Sequence, residues 1–126
     1  MAGSQRKEEV MTQRPTGSRI LAQADIEASI VSDLELLEKT TYDYGDLLTA
    51  EALAAVKFKK KKARAFQASS GSVRDKEANS ELESETEMRE YLLAEAQSKA
   101  KREVMRMLHA RLENMRSLNA NVRSQV

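Results

Sequence analysis

The sequence lacks several residue types on which many classes of protein depend. It has no cysteine, no tryptophan, one proline and four glycines, and aromatic residues make up 4% of its 126 residues. The absence of cysteine excludes disulfides and thiolate metal ligands, and it fits a reducing compartment. With so few aromatic residues and 33% charged residues, the chain cannot build a broad core, but it can bury a narrow seam between helices.

Long apolar runs and recognisable catalytic patterns are also missing. No stretch approaches the roughly 20 apolar residues that a membrane-spanning helix needs, and the N-terminus has no hydrophobic signal core. The sequence contains no phosphate-binding glycine loop and no calcium-loop pattern, and His109 is its single histidine. We therefore expect a soluble cytoplasmic protein that does not contact membranes, is not an enzyme, and needs no cofactor and no metal.

The C-terminal half is dominated by helical periodicity. After Gly71 there are 55 residues without glycine or proline, and Ser72 with Asp75 has the spacing of a capping box at a helix start. An apolar row with mostly three- and four-residue steps predicts one long helix over about 73–119. The row comprises Leu82, Leu93, Ala96, Ala100, Val104, Leu108, Leu112, Met115, Leu118 and Val122.

The first part of the chain predicts a tail followed by a helix. Residues 1–17 have no apolar periodicity, which is typical of a flexible tail. Ser18 is a candidate N-cap for a helix over about 19–39. Residues 40–46 contain two threonines, two tyrosines and a glycine, and we expect them to interrupt the helix.

A second helix is predicted over about 47–68. Asp46 is its candidate N-cap, and Gly71 is a natural left-handed terminator shortly after its end. No alternating strand pattern occurs in the chain. The prediction is therefore an all-α protein with three helices, the last one long, in a single helical domain over 18–126.

The net charge of +1 conceals blocks of opposite sign. Residues 25–51 carry a charge of −7, 52–73 carry +6, 74–95 carry −5 and 96–126 carry +5. If the chain turns back at residues 70–71, residue x lies opposite about 141 − x, and oppositely charged blocks then face each other. This complementarity predicts an antiparallel, coiled-coil-like helical hairpin. Two copies could use the same complementarity, so a homo-oligomer stays open.

A run of basic residues near the end of the second predicted helix is the first candidate site. Lys57, Lys60, Lys61 and Arg64 are spaced so that they share one helix face. Such a face can contact nucleic-acid phosphates, an anionic membrane or an acidic partner. It can equally neutralise the acidic start of the third helix, and the sequence alone does not decide between these interpretations.

A second basic stripe lies on the long helix. It comprises Lys99, Arg102, Arg106, His109 and Arg116, with Glu113 interrupting it before Arg116. Its steps alternate between three and four residues, so it could follow phosphates. Neighbouring acids on the same helix make a solvated, ion-paired face the simpler interpretation. No catalytic or metal-ligating set accompanies either stripe.

Three segments give the C-terminal half a family resemblance. They are KARAF at 62–66, GSVRDKEA at 71–78 and ARLENMRSLNA at 110–120. Over about residues 55–123 the chain resembles small helical proteins of tailed bacteriophages that are encoded near recombination and replication genes. The resemblance implies an accessory role in DNA transactions and assigns no site residues.

These observations favour a non-enzymatic phage protein that binds DNA or a DNA-processing enzyme through its basic helical faces. One alternative is an inhibitor of a host enzyme or antiviral defence system, in which the acidic blocks mimic DNA. The other alternative is a structural coiled coil.

Overall fold

The computed structural model describes the backbone of residues 15–125 and the side chains of residues 22–125. Three α-helices follow one another: α1 spans Pro15–Ala68, α2 spans Val73–Glu83 and α3 spans Glu85–Ser124. No strand occurs in this described part of the chain. The predicted all-α class, with a long C-terminal helix packed as a hairpin against the first helix, is confirmed.

Helix α1 is continuous where the sequence predicted an interruption. Residues 40–46 are helical, so the prediction of two separate helices there is wrong. A glycine inside a helix costs only about 1 kcal/mol, and packing offsets this cost. Thr40 is buried, and Tyr44 and Leu47 are half-buried on the same face of the helix.

Helix α1 also begins earlier than predicted. Its first residue is Pro15, and proline suits the first helical position because its φ is already helical and its missing N–H would have had no partner. Residues 15–17 of the predicted tail are therefore helical, whereas residues 1–14 lie outside the described residues. Ser18 and Asp46 lie within α1, so the prediction that they are N-caps is wrong.

The chain reverses between α1 and α2 at Gly71. This glycine has a φ of 104°, a left-handed conformation that glycine adopts at little cost. Ser72 then caps α2, because its Oγ accepts a hydrogen bond from the Asp75 N–H at 3.2 Å. In return, the Ser72 N–H donates to Oδ2 of Asp75 at 3.3 Å. The predicted capping box is confirmed.

A single residue, Ser84, separates α2 from α3, with a φ of −101° and a ψ of 11°. Ser80 and Ser84 are both fully buried, and the Ser84 hydroxyl donates to the Ser80 carbonyl at 2.6 Å. A serine hydroxyl that bonds to a carbonyl one turn back competes with the helical backbone and bends it. The helix predicted over about 73–119, whose continuity the sequence left open, is therefore divided at Ser84, and its last part extends to Ser124.

The inward face of α3 follows alternating steps of four and three residues, which is the spacing of a coiled-coil seam. The apolar row predicted from the sequence instead used four-residue steps from Ala96 to Leu112, and each such step rotates by about 40° around the helix. As a result Leu108 and Leu112 are buried, whereas Leu93 and Val104 are exposed. The seam positions are Glu87, Tyr91, Ala94, Ser98, Lys101, Met105, Leu108, Leu112, Met115, Asn119 and Val122.

The first compact unit combines the described residues up to Glu38 with residues 107–125. Its apolar core is small: Leu108 and Leu112 are 6% and 3% exposed, and Ile26 and Ile30 are half-buried. Ion pairs join its two segments, which run antiparallel. These pairs are Arg123 Nη2 with Glu27 Oε1 at 2.7 Å, and Arg111 Nε with Asp33 Oδ2 at 2.9 Å.

Asp33 is a buried charged residue in the seam of this unit. Arg111 lies close enough to Oδ2 for an ion pair, yet that oxygen accepts no hydrogen bond from the described residues. The contact is therefore an ion pair without hydrogen-bond alignment. Because a buried carboxylate without its cation is costly, this pair favours one register of the two segments.

The second compact unit comprises residues 39–106. The rings of Phe58 and Tyr91 stack with centroids 6.2 Å apart and planes inclined by 14°. The Ser98 hydroxyl donates to Oε1 of Glu51 at 3.1 Å. Two ion pairs also connect the antiparallel segments: Lys57 with Glu90 at 3.2 Å, and Lys101 with Asp43 at 4.0 Å.

The register of the second unit differs from the predicted one. The predicted relation places residue 84 opposite Lys57, whose partner is Glu90, six residues further along. The first two turns of α2 belong to the reversal, since Asn79 in the second turn donates a hydrogen bond to the hydroxyl of Ser69. The turn therefore uses more residues than a tight loop centred on 70–71.

Candidate functional site

The predicted basic face lies on α1 in the second compact unit. Two of the cations in its segment have partners within this unit. The Nζ atom of Lys57 forms its ion pair with Glu90, and the Nζ atom of Lys62 lies 5.9 Å from the ring centroid of Phe58, within reach of a cation–π contact.

The other four cations of the segment, Lys59, Lys60, Lys61 and Arg64, point to solvent. All four are exposed, and none forms an ion pair with a residue in the described part of the chain. Neutralisation of this segment by the acidic residues of α2 and α3 is therefore seen for Lys57 alone. Lys59 was not among the predicted contact residues. It lies on a different side of α1 from Lys60, Lys61 and Arg64 and lines the neighbouring groove. Its position in the run Lys59–Lys62 was the signal for it.

Beside this segment, α1 and α2 enclose an open groove of about 640 Å³. Its floor includes Phe66, whose ring centroid lies 5.9 Å from Nζ of Lys76. Acidic side chains of α2 face the lysines across the groove, so an anion placed inside it would meet repulsion. The outer surface of α1 therefore suits an anion better than the groove does. The groove is lined by Lys59, Lys62, Ala63, Phe66, Gln67, Glu77, Ser80 and Glu81.

The second predicted stripe is largely ion-paired on its own helix. Arg106 contacts Glu103 at 3.0 Å, and Arg116 contacts Glu113 at 3.9 Å. Exposed pairs of this kind contribute about 0.3–0.5 kcal/mol each. Arg102 is exposed and forms no ion pair with the described residues.

The two predicted stripes do not form one patch within the second unit. Lys57 is level with Glu90, and Arg102 follows Glu90 by twelve residues, which is about 18 Å along a helix. Arg116 belongs to the first compact unit. Besides Lys57, three cations that form ion pairs between the helices were not predicted from the sequence. They are Lys101, Arg111 and Arg123, and the alternating three- and four-residue spacing of α3 would have placed the first of them at the seam.

A small exposed network on α3 shifts three pKa values. The hydrogen bond from Lys99, followed by one from Tyr91, lowers the pKa of Glu95 below its usual value. The same bond to Glu95 raises the pKa of Lys99. The hydrogen bond to Glu95 also raises the pKa of Tyr91. Lys99 is exposed, whereas Tyr91 and Glu95 are half-buried. The network runs along one side of α3.

The described residues also lack the features of two other kinds of site. Among these residues, no three histidine or carboxylate side chains are grouped so that they could hold a metal ion. Likewise, none of the described helices combines the length and the apolar composition needed to cross a bilayer.

No protein-family model, curated protein or solved structure matches the chain. The resemblance to phage proteins over residues 55–123 therefore stays a prediction. The function has to be argued from the geometry of the described residues.

Proposed function

We propose that this chain is a non-enzymatic binding module that holds nucleic acid on the exposed cations of α1. Its contact residues are Lys59, Lys60, Lys61 and Arg64. The observation that carries the proposal is that these four cations, within six residues of one helix, are exposed and have no acidic partner among the described residues. Arg102 is a candidate for an additional, separate phosphate contact.

The geometry favours contacts with phosphates and not with bases. Phe58 and Phe66, the aromatic residues nearest to the cations, are half-buried and one of them already stacks on Tyr91, so they offer no free ring on which a base could stack. Lysine and arginine contacts to phosphates bind many sequences alike. The module would therefore assist DNA recombination or replication in the cytoplasm as an accessory factor, and would not recognise a specific site.

The strength of such binding follows from the number of cations. Four phosphate contacts predict a loss of about a hundredfold in affinity between about 50 and 200 mM salt, because each contact releases bound counterions. Dissociation constants of about 10⁻⁴ to 10⁻⁶ M are typical of this kind of nonspecific binding.

The direct test is fluorescence anisotropy with labelled single-stranded and duplex DNA across a salt series. We expect the variant K59Q/K61Q/R64Q to lose most of its affinity and its salt slope to fall by about 3. The matched control, R89Q/K99Q/R106Q, removes the same charge from exposed cations that already have acidic partners on α3. This control should retain affinity within about twofold. Equal losses in the two variants, or no binding by the wild-type chain at low salt, would overturn the proposal.

A protein partner is the second candidate function, and the exposed apolar side chains favour it. Fifteen large apolar side chains of the described residues are exposed, Leu82 by 73% and Met107 by 70%, whereas only Leu108 and Leu112 among these residues are buried large apolar side chains. Extensive exposed apolar surface is typical of a protein that packs against a partner. A DNA-processing enzyme or a host enzyme inhibited by the chain would be such a partner. Affinity purification from cells, repeated with nuclease, tests this candidate, since one stoichiometric partner must survive the nuclease.

A further inference from the structure

One stripe of α1 changes from acidic through apolar to basic along its length. Its residues follow one another at alternating steps of three and four, so they share one side of the helix. All of them lie in the second compact unit, and all except half-buried Asp43 are exposed. The stripe consists of Asp43, Asp46, Ala50, Leu53, Lys57, Lys60 and Arg64.

We propose that this stripe is a docking surface for a second copy of the chain, with the two α1 helices antiparallel. The stripe is complementary to itself when reversed about the midpoint between Ala50 and Leu53. Reversal brings Asp46 opposite Lys57, brings Asp43 opposite Lys60, and places Ala50 against Leu53. A twofold contact uses the same patch on both copies, so it requires a self-complementary patch of this kind.

The adjoining face of α3 widens the apolar centre of this surface. Lys57, four residues after Leu53, contacts Glu90, three residues before Leu93, so Leu53 and Leu93 flank the same ion pair. Leu53 is 66% exposed and Leu93 is 61% exposed. Val104 continues the patch on α3 through the exposed Ala100. Apolar side chains at the centre and charges at the rim are the arrangement found in protein interfaces.

The partners of the charged residues leave most of the stripe available. Asp46 and Lys60 have no ion pair with the described residues, and Asp43 reaches Lys101 only at 4.0 Å. Lys57 is engaged with Glu90 but is 63% exposed, so it can meet a second carboxylate. Charge complementarity thus identifies the partner at this stripe as a second copy of the chain. Only a twofold contact between two copies requires the acidic, apolar and basic residues of the stripe to complement the same stripe in reverse.

The size of the surface predicts a weak dimer. From Asp43 to Arg64 the helix is about 33 Å long, and two helices side by side are about 20 Å wide. The resulting area of about 650 Å² per copy lies below the roughly 800 Å² of a standard interface. The next pair outward would place Lys39 beside Arg64, and these like charges oppose the contact. We therefore expect the dimer to have a dissociation constant in the micromolar range or higher.

Sedimentation of the full chain over a range of concentrations tests the proposal. We expect the wild-type chain to associate reversibly to a dimer, and the variant Leu53→Glu to stay monomeric. The control Leu82→Glu places the same charge at a residue of similar exposure in the same unit, but outside the stripe, and should dimerise like the wild type. The variant Lys39→Glu should tighten the dimer by about tenfold, since it converts a repulsive pair with Arg64 into an attractive one.

A charge-exchange experiment identifies the orientation of the two copies. D43K/D46K and K57E/K60E should each be monomeric alone, because the four charges at positions 43, 46, 57 and 60 then have the same sign within each variant. Their equimolar mixture should form a heterodimer, because these four charges are basic in one variant and acidic in the other. Circular dichroism must show wild-type helix content for both variants. A wild-type chain that is monomeric at every concentration, equal dimerisation of the two leucine variants, or a mixture that does not associate would overturn the proposal.

This inference goes beyond the proposed function. Lys60 and Arg64 belong to both surfaces, but the two tests change different residues. The nucleic-acid test changes Lys59, Lys61 and Arg64, whereas the dimer test relies on Leu53 and on the charged residues at 43, 46, 57 and 60. A monomeric Leu53→Glu variant that still binds DNA would support both proposals separately. Nucleic acid and the second copy compete for Lys60, so excess DNA should reduce the dimer fraction.

Discussion

Gly71 is the residue on which the reversal between α1 and α2 depends. Its φ of 104° is strained for residues with a side chain. A Cβ atom at this position would also lie 2.9 Å from Oδ2 of Asp75, the oxygen that accepts the Ser72 N–H. A side chain here therefore strains the backbone and disturbs the capping box at once.

The first prediction concerns this glycine. Gly71→Ala should lower the free energy of unfolding by about 2 kcal/mol, from the left-handed backbone and the weakened cap together. Urea denaturation followed by circular dichroism measures the change. The control is Gly45→Ala, which lies inside α1 with no atom within 4 Å of an added Cβ. It should raise stability by about 1 kcal/mol, and a loss of stability there would contradict the continuous helix.

The second prediction concerns the carboxylate of Glu27. Hydrogen bonds from Arg123 first and then from Gln23 lower its pKa below the usual 4.5. A lowered folded-state pKa contributes stability that is complete above the unfolded pKa and is lost as the pH falls through the folded value. In an NMR titration Glu27 should therefore titrate below 4.5. The variant Arg123→Gln should shift its pKa upward, and an unchanged titration curve would show that the ion pair does not form in solution.

At the scale of the helices, apolar burial is concentrated in a short part of α3. Among the described residues, Leu108 and Leu112 are the large apolar side chains that are fully buried. Elsewhere the buried seam positions are polar, as at Asp33, Thr40 and Ser98. Polar residues in a coiled-coil seam specify register at a cost in stability. The hairpin therefore obtains much of its apolar stabilisation from one or two turns.

The third prediction compares two leucines of the same helix and the same compact unit. Leu112→Ala should lower the free energy of unfolding by about 3 kcal/mol, because it removes buried methyl groups and leaves a cavity. Leu118→Ala should change it by less than about 0.5 kcal/mol, because Leu118 is 51% exposed. Chemical denaturation of both variants provides the measurement. Comparable losses would mean that Leu118 is covered, and hence that another surface packs on it.

The sequence predicted the helical class, the antiparallel hairpin and the capping box at Ser72, because these depend on local patterns and on charge order. It did not predict continuity across residues 40–46 or the break at Ser84. The continuity of α1 depends on the burial of Thr40, and the break at Ser84 depends on the burial of Ser80. Burial is decided by the helix that packs against each residue, which local sequence patterns do not reveal. The predicted apolar row also lay partly on the wrong side of α3. Its successive four-residue steps and the 3.5-residue repeat of the observed seam agree over one or two turns and then diverge.

For the candidate site, the sequence identified the basic run but not which of its members are free. Lys57 and Lys60 are equivalent in a helical projection, yet only the former has an acid opposite it, namely Glu90. That difference depends on the register, which was predicted six residues away from the observed one. Arg106 and Arg116 were placed in a binding stripe, and their contacts to Glu103 and Glu113 match the ion-paired alternative.

At the scale of the whole molecule, a nearly neutral chain carries strong local charge. The net charge is +1, but cations and carboxylates are arranged in blocks that can satisfy each other within one chain or between two. Interactions of this kind weaken as salt is added, since exposed charges are screened within about 10 Å at 0.1 M. Association through the stripe should therefore decline with ionic strength. The stabilisation that comes from burial of Leu108 and Leu112 should change little, because it does not depend on charge.

The fourth prediction follows from association. A protein that dimerises only when folded melts at a higher temperature when it is more concentrated. The wild-type chain should show this shift at low salt and lose it at high salt. Leu53→Glu should melt at the same temperature at all concentrations. Thermal scans over a hundredfold range of protein concentration provide the measurement, and a wild-type melting temperature independent of concentration would argue against the dimer.

The polar seam has a consequence for the thermodynamics of unfolding. Heat capacity rises on unfolding chiefly because apolar surface becomes hydrated, while newly hydrated polar groups reduce it. The buried positions of this chain include the polar residues Asp33, Thr40 and Ser98, and many of its leucines are exposed to solvent in the folded state. Unfolding therefore exposes little additional apolar surface. The chain's stability curve should be shallow, so that it loses little on cooling and resists cold denaturation better than a globular domain of equal length.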